Sequence, residues 1–104
     1  MINIVISKDK QEYELSMHGH AYYADVGDDI VYAGASAIAY SLLGFLNNCD
    51  TVVDVDVIER SGEMELSCSD YSSKVHTAFE MAAIGFLQLE KQYPDYVRVD
   101  ITNF

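Results

Sequence analysis

One stretch of this chain, residues 18–36 (HGHAYYADVGDDIVYAGAS), puts residue types that can do chemistry at useful spacing. A histidine, His20, closes a run that alternates at Tyr13, Leu15 and Met17; a short acidic loop with one glycine follows; an apolar helix then begins. Gly27 lets the loop turn sharply, and Asp28 or Asp29 can cap the helix. An imidazole titrates near neutral pH and is the usual general base. The first helical turn presents free N–H groups and the positive end of the peptide dipoles, which acidify a thiol toward the thiolate. A base on one side of the loop and a nucleophile on the other is an arrangement for acyl transfer. The position best placed for that thiol holds Tyr32.

A tyrosine cannot simply replace a thiolate. An ordinary phenol has a pKa of about 10, so about one molecule in a thousand is ionised at pH 7. A helix N-terminus contributes about 0.3–1 kcal/mol, less than one pKa unit. No Lys or Arg lies within the motif to supply more. The ring is instead expected to fill or reshape a pocket, or to offer a stacking surface. Ser36, one turn beyond Tyr32 on the same side of the helix, is the alternative nucleophile for His20, and is expected to sit too deep. His18 and His20, at i and i+2, would share a strand face, with Asp25, Asp28 and Asp29 as oxygen donors to a divalent cation. With no cysteine or third histidine at defined spacing, this reads as chance capture, so neither a metal site nor a cofactor is expected. Tyr22 and Tyr23 could form a wall for a bound peptide, although packing on a sheet face explains most tyrosines equally well. His76 reads as a boundary residue of a second helix.

The elements that must position these residues follow from hydrophobic period. Residues 2–6 and 12–20 alternate as strands, with Lys8–Gln11 as the hairpin between them. Residues 29–47 form a helix apolar on most sides, which predicts a central helix or one at a subunit interface. TVVDVDVIE and EMELSCS make a second hairpin about Arg60-Ser61-Gly62. A helix introduced by Tyr71-Ser72-Ser73 runs from Val75 to Leu89 and stops before Pro94, and Tyr96–Ile101 is a last strand. The order is ββαββαβ, two weakly repeated ββα units and a strand. It predicts an α+β domain with a mostly antiparallel sheet covered by two helices.

The chain has 104 residues, half of them hydrophobic, with a single proline and no low-complexity run. That makes one compact domain, residues 1–104. Seventeen acidic against six basic residues give a net charge of −11. Such a field repels phosphate backbones and attracts basic peptides, so no nucleic acid is expected as a partner. Acidity also serves plain solubility. Cys49 and Cys68 lack metal or redox spacing and are expected as small buried hydrophobes. The first residues, MINIVISKDK, read neither as a signal peptide nor as a membrane span, which points to the cytoplasm and away from membranes.

The stretch resembles the ribosomal-processing cysteine protease family, Prp. That family is marked by Gly-His-Ala, a flexible loop, Gly-x-Asp-Ile-Val-Cys-Ala and a nearby serine. The matching residues are Gly19, His20, Ala21, Gly27, Asp29, Ile30, Val31, Ala33 and Ser36, and the order of segments over all 104 residues is also similar. Tyr32 departs from the pattern, since it falls where the family has its nucleophilic cysteine. The resemblance implies a base at His20, a supporting role for Ser36, and a peptide groove between the acidic loop and the first helix with Gly19, Ala21, Gly27, Asp29 and Ser36 as binding residues, to which the residue types add Tyr22. It implies an extended peptide partner, the N-terminal segment of a large-subunit ribosomal protein or of a phage capsid or scaffold protein, and a homodimer. With Tyr32 in place, the expectation is a Prp-like protein that binds without cleaving. The competing expectation is an enzyme in its own right, a peptidase or metal-assisted hydrolase using His20 with a group other than cysteine.

Overall fold

The structure, a computed structural model, describes residues 1–20 and 29–104. Its elements are β1 (Ile2–Asp9), β2 (Glu12–His18), α1 (Ile30–Asn47), β3 (Val52–Arg60), β4 (Glu63–Asp70), α2 (Lys74–Gln92) and β5 (Val97–Thr102). This is the expected ββαββαβ order of an α+β domain. The five strands form one sheet in the order β3-β4-β2-β1-β5. All neighbours are antiparallel except β1 and β5, which run parallel. The inner strands of the two hairpins, β2 and β4, meet at the centre, and β5 adds to the outside of β1.

Alternation decides which sheet face is buried. Ile2, Ile4 and Ile6 of β1, Tyr13, Leu15 and Met17 of β2, and Met64, Leu66 and Cys68 of β4 all point into the core. They meet Val31, Ala35, Ala39, Leu42 and Leu46 of α1 and Val75, Phe79, Ala82, Ala83 and Phe86 of α2, which recur at helical spacing. Phe79 and Phe86 are fully buried, and truncating either to Ala should cost about 3–5 kcal/mol. Burial also pushes the Cys68 thiol up to about 11, so this cysteine is the inert hydrophobe expected, while Cys49 is half-buried. The other face, carrying Glu12, Glu14 and Asp56, is open to solvent.

Two sequence expectations change. β2 stops at His18 rather than His20 because Gly19 takes φ +101, where an extended strand cannot continue. The first helix is not central: α1 buries a single stripe, while Ile30, Tyr40 and Phe45 are 59%, 49% and 42% exposed. Both helices lie on one face of the sheet, so α1 is half of a covering layer. The two helices approach closely at glycines; a Cβ on Gly85 would lie 3.2 Å from Ile38 Cδ1.

Candidate functional site around His20 and Tyr32

Two left-handed glycines build the setting of His20. The N–H of Gly19 donates to the carbonyl of Gly62, in the β3–β4 turn, at 2.7 Å. A Cβ on Gly19 would lie 2.3 Å from the Met1 carbonyl oxygen, so its φ of +101 and its space both demand glycine. Gly62 has φ +71, and a Cβ there would lie 2.6 Å from His20 Nε2. The imidazole thus rests on the bare backbone of the turn. Sequence reasoning read Gly62 only as part of a tight connection; its place beneath His20 follows from the β2–β4 pairing, which local pattern does not reveal.

From the other side, α1 brings Tyr32 to the histidine. Asp29 caps the helix, its Oδ1 accepting from the Tyr32 N–H at 3.0 Å and its carbonyl accepting from the Ala33 N–H at 3.1 Å. This fixes Tyr32 in the first turn with its ring half-buried against the core. The rings of His20 and Tyr32 lie 5.3 Å apart between centroids and are tilted by 32°. They form a packed aromatic pair at the positive end of the helix. The juxtaposition expected from sequence is therefore present.

Ser36 lies one turn further along α1 and is half-buried. Ala21, Tyr22, Gly27 and the loop carboxylates Asp25 and Asp28 lie outside the described residues.

His18 and His20 do not converge. His18 closes β2 on the solvent face of the sheet, its Nε2 3.3 Å from Glu65 Oε1, whereas His20 follows the Gly19 break and packs under α1. The i, i+2 argument fails because it assumes an unbroken strand. The neighbours of His18 are Glu63 and Glu65, with ligand atoms of all three within 4.8 Å. This grouping is half-exposed and separate from the His20 and Tyr32 pair.

A further residue, not anticipated from sequence, continues the Tyr32 side of α1. Tyr40 donates its hydroxyl hydrogen to Glu59 on β3. This bond to the carboxylate, then desolvation, then the electrostatic influence of Glu59 and, least, of Tyr32, raise the Tyr40 phenol above its ordinary pKa. Tyr32, Ser36 and Tyr40 follow one another at i, i+4 and i+8, a spacing visible in the sequence. A distinct groove of about 880 Å³ runs between α1 and α2, lined by Ile38, Leu42, Phe45, Ala78 and Met81 among others, and includes neither His20 nor Tyr32.

Comparison with known proteins places this geometry in context. The family model described as cysteine protease Prp matches residues 1–98. The ribosomal-processing protease Prp from S. aureus, in complex with a covalently linked product peptide, superposes with a TM-score of 0.85 at 21% identity, covering 97% of this chain and 99% of that one. The same S. aureus protease with a substrate peptide gives 0.77 at 19% identity, with the same coverage of 97% and 99%. SMU.848 from Streptococcus mutans gives 0.76 at 26% identity, covering 99% of this chain and 96% of that one. No curated protein matches. With the family model spanning nearly the whole length and the fold agreeing throughout, the chain belongs to the Prp cysteine protease family.

Proposed function

We propose that this protein holds an extended peptide at the His20 and Tyr32 site without cleaving it, because Tyr32 takes the position of the family's nucleophilic cysteine. The observation that carries this reading is the direct packing of the His20 ring on Tyr32 in the first turn of a helix capped by Asp29. A thiol in that place would have an imidazole and a helix N-terminus to activate it. A phenol there has the same neighbours, but phenols are far weaker acids than thiols, and its ring fills the space. Catalysis is lost and a stacking surface is gained.

The S. aureus relatives hold a substrate peptide or a covalently linked product peptide, which supports a peptide as the ligand class here. The segment we favour is the N-terminus of a large-subunit ribosomal protein or of a phage structural protein. A net charge of −11 favours a basic one. A homodimer is part of the same proposal, with the exposed Phe45, Met81, Ile84 and Leu87 on α1 and α2 as the apolar surface it would cover.

The test is a pair of measurements on ribosomal-protein N-terminal peptides. The unaltered protein should bind and not cut, and Tyr32→Cys should cut. Cleavage by the unaltered protein that is lost in His20→Ala would establish an active peptidase instead; cleavage lost on chelation and restored by added metal would establish a metal-assisted hydrolase. If neither protein binds nor cuts any such peptide, the inherited groove is not there.

A further inference from the structure

The two edges of the sheet are treated differently. On β5, the outward N–H of Val99 donates to Glu90 Oε2 of α2 at 2.7 Å, so a side chain occupies that edge at Val99. The opposite edge, β3, is terminal in the sheet and is exposed along most of its length. An open edge strand presents unpaired backbone donors and acceptors to any extended chain. Its first part is interrupted: Asp54 takes φ +55, and the register with β4 shifts between Val53 and Asp56. From Asp56 to Arg60 the register is regular and ends at the Gly62 turn, on which the His20 ring rests.

The surroundings of this regular run fit one class of ligand. Alongside it, α1 runs in the reverse direction. Tyr32 lies near the turn, and Tyr40 is hydrogen-bonded to Glu59. Asp56 and Glu59 on the strand, with Glu63 and Glu65 on its partner, outnumber the single cation Arg60. Ile58 adds an apolar contact, 40% exposed. Among the described residues this edge is open beside the site, acidic, and regular where it approaches the site, which suits it to an extended basic chain.

We propose that Asp56–Arg60 of β3 pairs with an extended, Lys- or Arg-bearing peptide as a sixth strand and leads it past Gly62 to His20 and Tyr32. This rests on the peptide-binding reading above and adds the track, the backbone mode of recognition and the charge of the ligand. About five residues of the peptide take part in pairing, its main chain supplies the affinity, and alternate side chains face Tyr40 or the open sheet face.

The experiment uses the full-length protein, labelled with nitrogen-15, and a synthetic decapeptide of alternating Lys and Thr, with a Glu-for-Lys counterpart. The Lys peptide should shift the amides of Asp56–Arg60 and slow the exchange of every second one, and the Glu peptide should bind at least about tenfold more weakly. N-methylation of alternate peptide residues should abolish binding in one phase and change it by less than about twofold in the other. Lys-peptide binding that perturbs His20 and Tyr32 but not β3, or that responds equally to both methylation phases, overturns the edge proposal and leaves peptide binding standing. β3 amides already protected in the free protein and unmoved by peptide would assign the edge to a second copy of the chain and also overturn it. No binding of either peptide at any residue overturns this proposal, while binding of ribosomal-protein peptides tests the underlying reading separately.

Discussion

The two ββα units solve the same problem, joining an inner strand to a covering helix, in opposite ways. Between β4 and α2 only residues 71–73 intervene, and the joint is welded by Asp70. That side chain, 1% exposed, accepts from Ser72 N–H at 3.2 Å, from Ser72 Oγ at 2.7 Å and from Val75 N–H at 3.4 Å. Between β2 and α1 residues 19–29 intervene, and the joint carries a histidine on a glycine turn facing a tyrosine in the first helical turn. One joint spends its polar groups on capping the helix from within the core. The other caps from the loop with Asp29 and leaves the imidazole and the phenol to face each other. The proposed peptide site lies at the longer of the two strand-to-helix connections.

If that contrast is right, the largest effect belongs to the weld. Asp70→Ala should lower stability by about 3 kcal/mol in urea unfolding, since it orphans donors beside the core. Burial by itself would raise the Asp70 pKa, but the hydrogen bonds from Ser72, Thr51 and Val75 outweigh it and hold it below the ordinary carboxylate value. A depressed pKa contributes stability that is complete above the unfolded-state value and is lost as pH falls through the folded one. Acid unfolding should therefore be shallower in Asp70→Asn over that low-pH window, measured by circular dichroism against pH.

Next comes Gly19→Ala, about 2 kcal/mol in the same unfolding assay, because a methyl must enter a left-handed position against the Met1 carbonyl. Gly62→Ala should cost about 1 kcal/mol, and should be read chiefly in nuclear magnetic resonance shifts of the His20 ring, which has to move off the turn. His20→Ala should be the mildest, within about 0.5 kcal/mol, while weakening peptide binding. An order in which His20→Ala destabilises more than Asp70→Ala would dissolve the distinction between weld and site.

Most of the architecture could be read from period alone, because a sheet with one buried face and helices with one buried stripe write their geometry into alternation and 3.6-residue spacing. The pairing of His20 with Tyr32 was also legible, since a capped helix following a strand leaves few places for either. What escaped was non-local. Gly62 lies under His20 only because β4 pairs with β2, and Tyr40 meets Glu59 only because α1 lies along β3. The split of His18 from His20 turned on the backbone angle of Gly19, which strand spacing does not encode. The polarity of α1 left two readings open, a central helix or one at a subunit interface, and the exposed Ile30 and Phe45 remove only the first.

The most direct test of the site is the alkylation rate of Tyr32→Cys against pH, followed at that position by mass spectrometry, with His20 present and with His20→Ala. Cys68 is no competitor, its thiol being buried and pushed up to about 11. The introduced thiol should react as a thiolate with a midpoint below about 7, moving up by at least about one unit when His20 is removed. A midpoint at the ordinary thiol value of about 8.5, unchanged by His20→Ala, would contradict the account that these two positions form an activated pair from which the sulfur has gone.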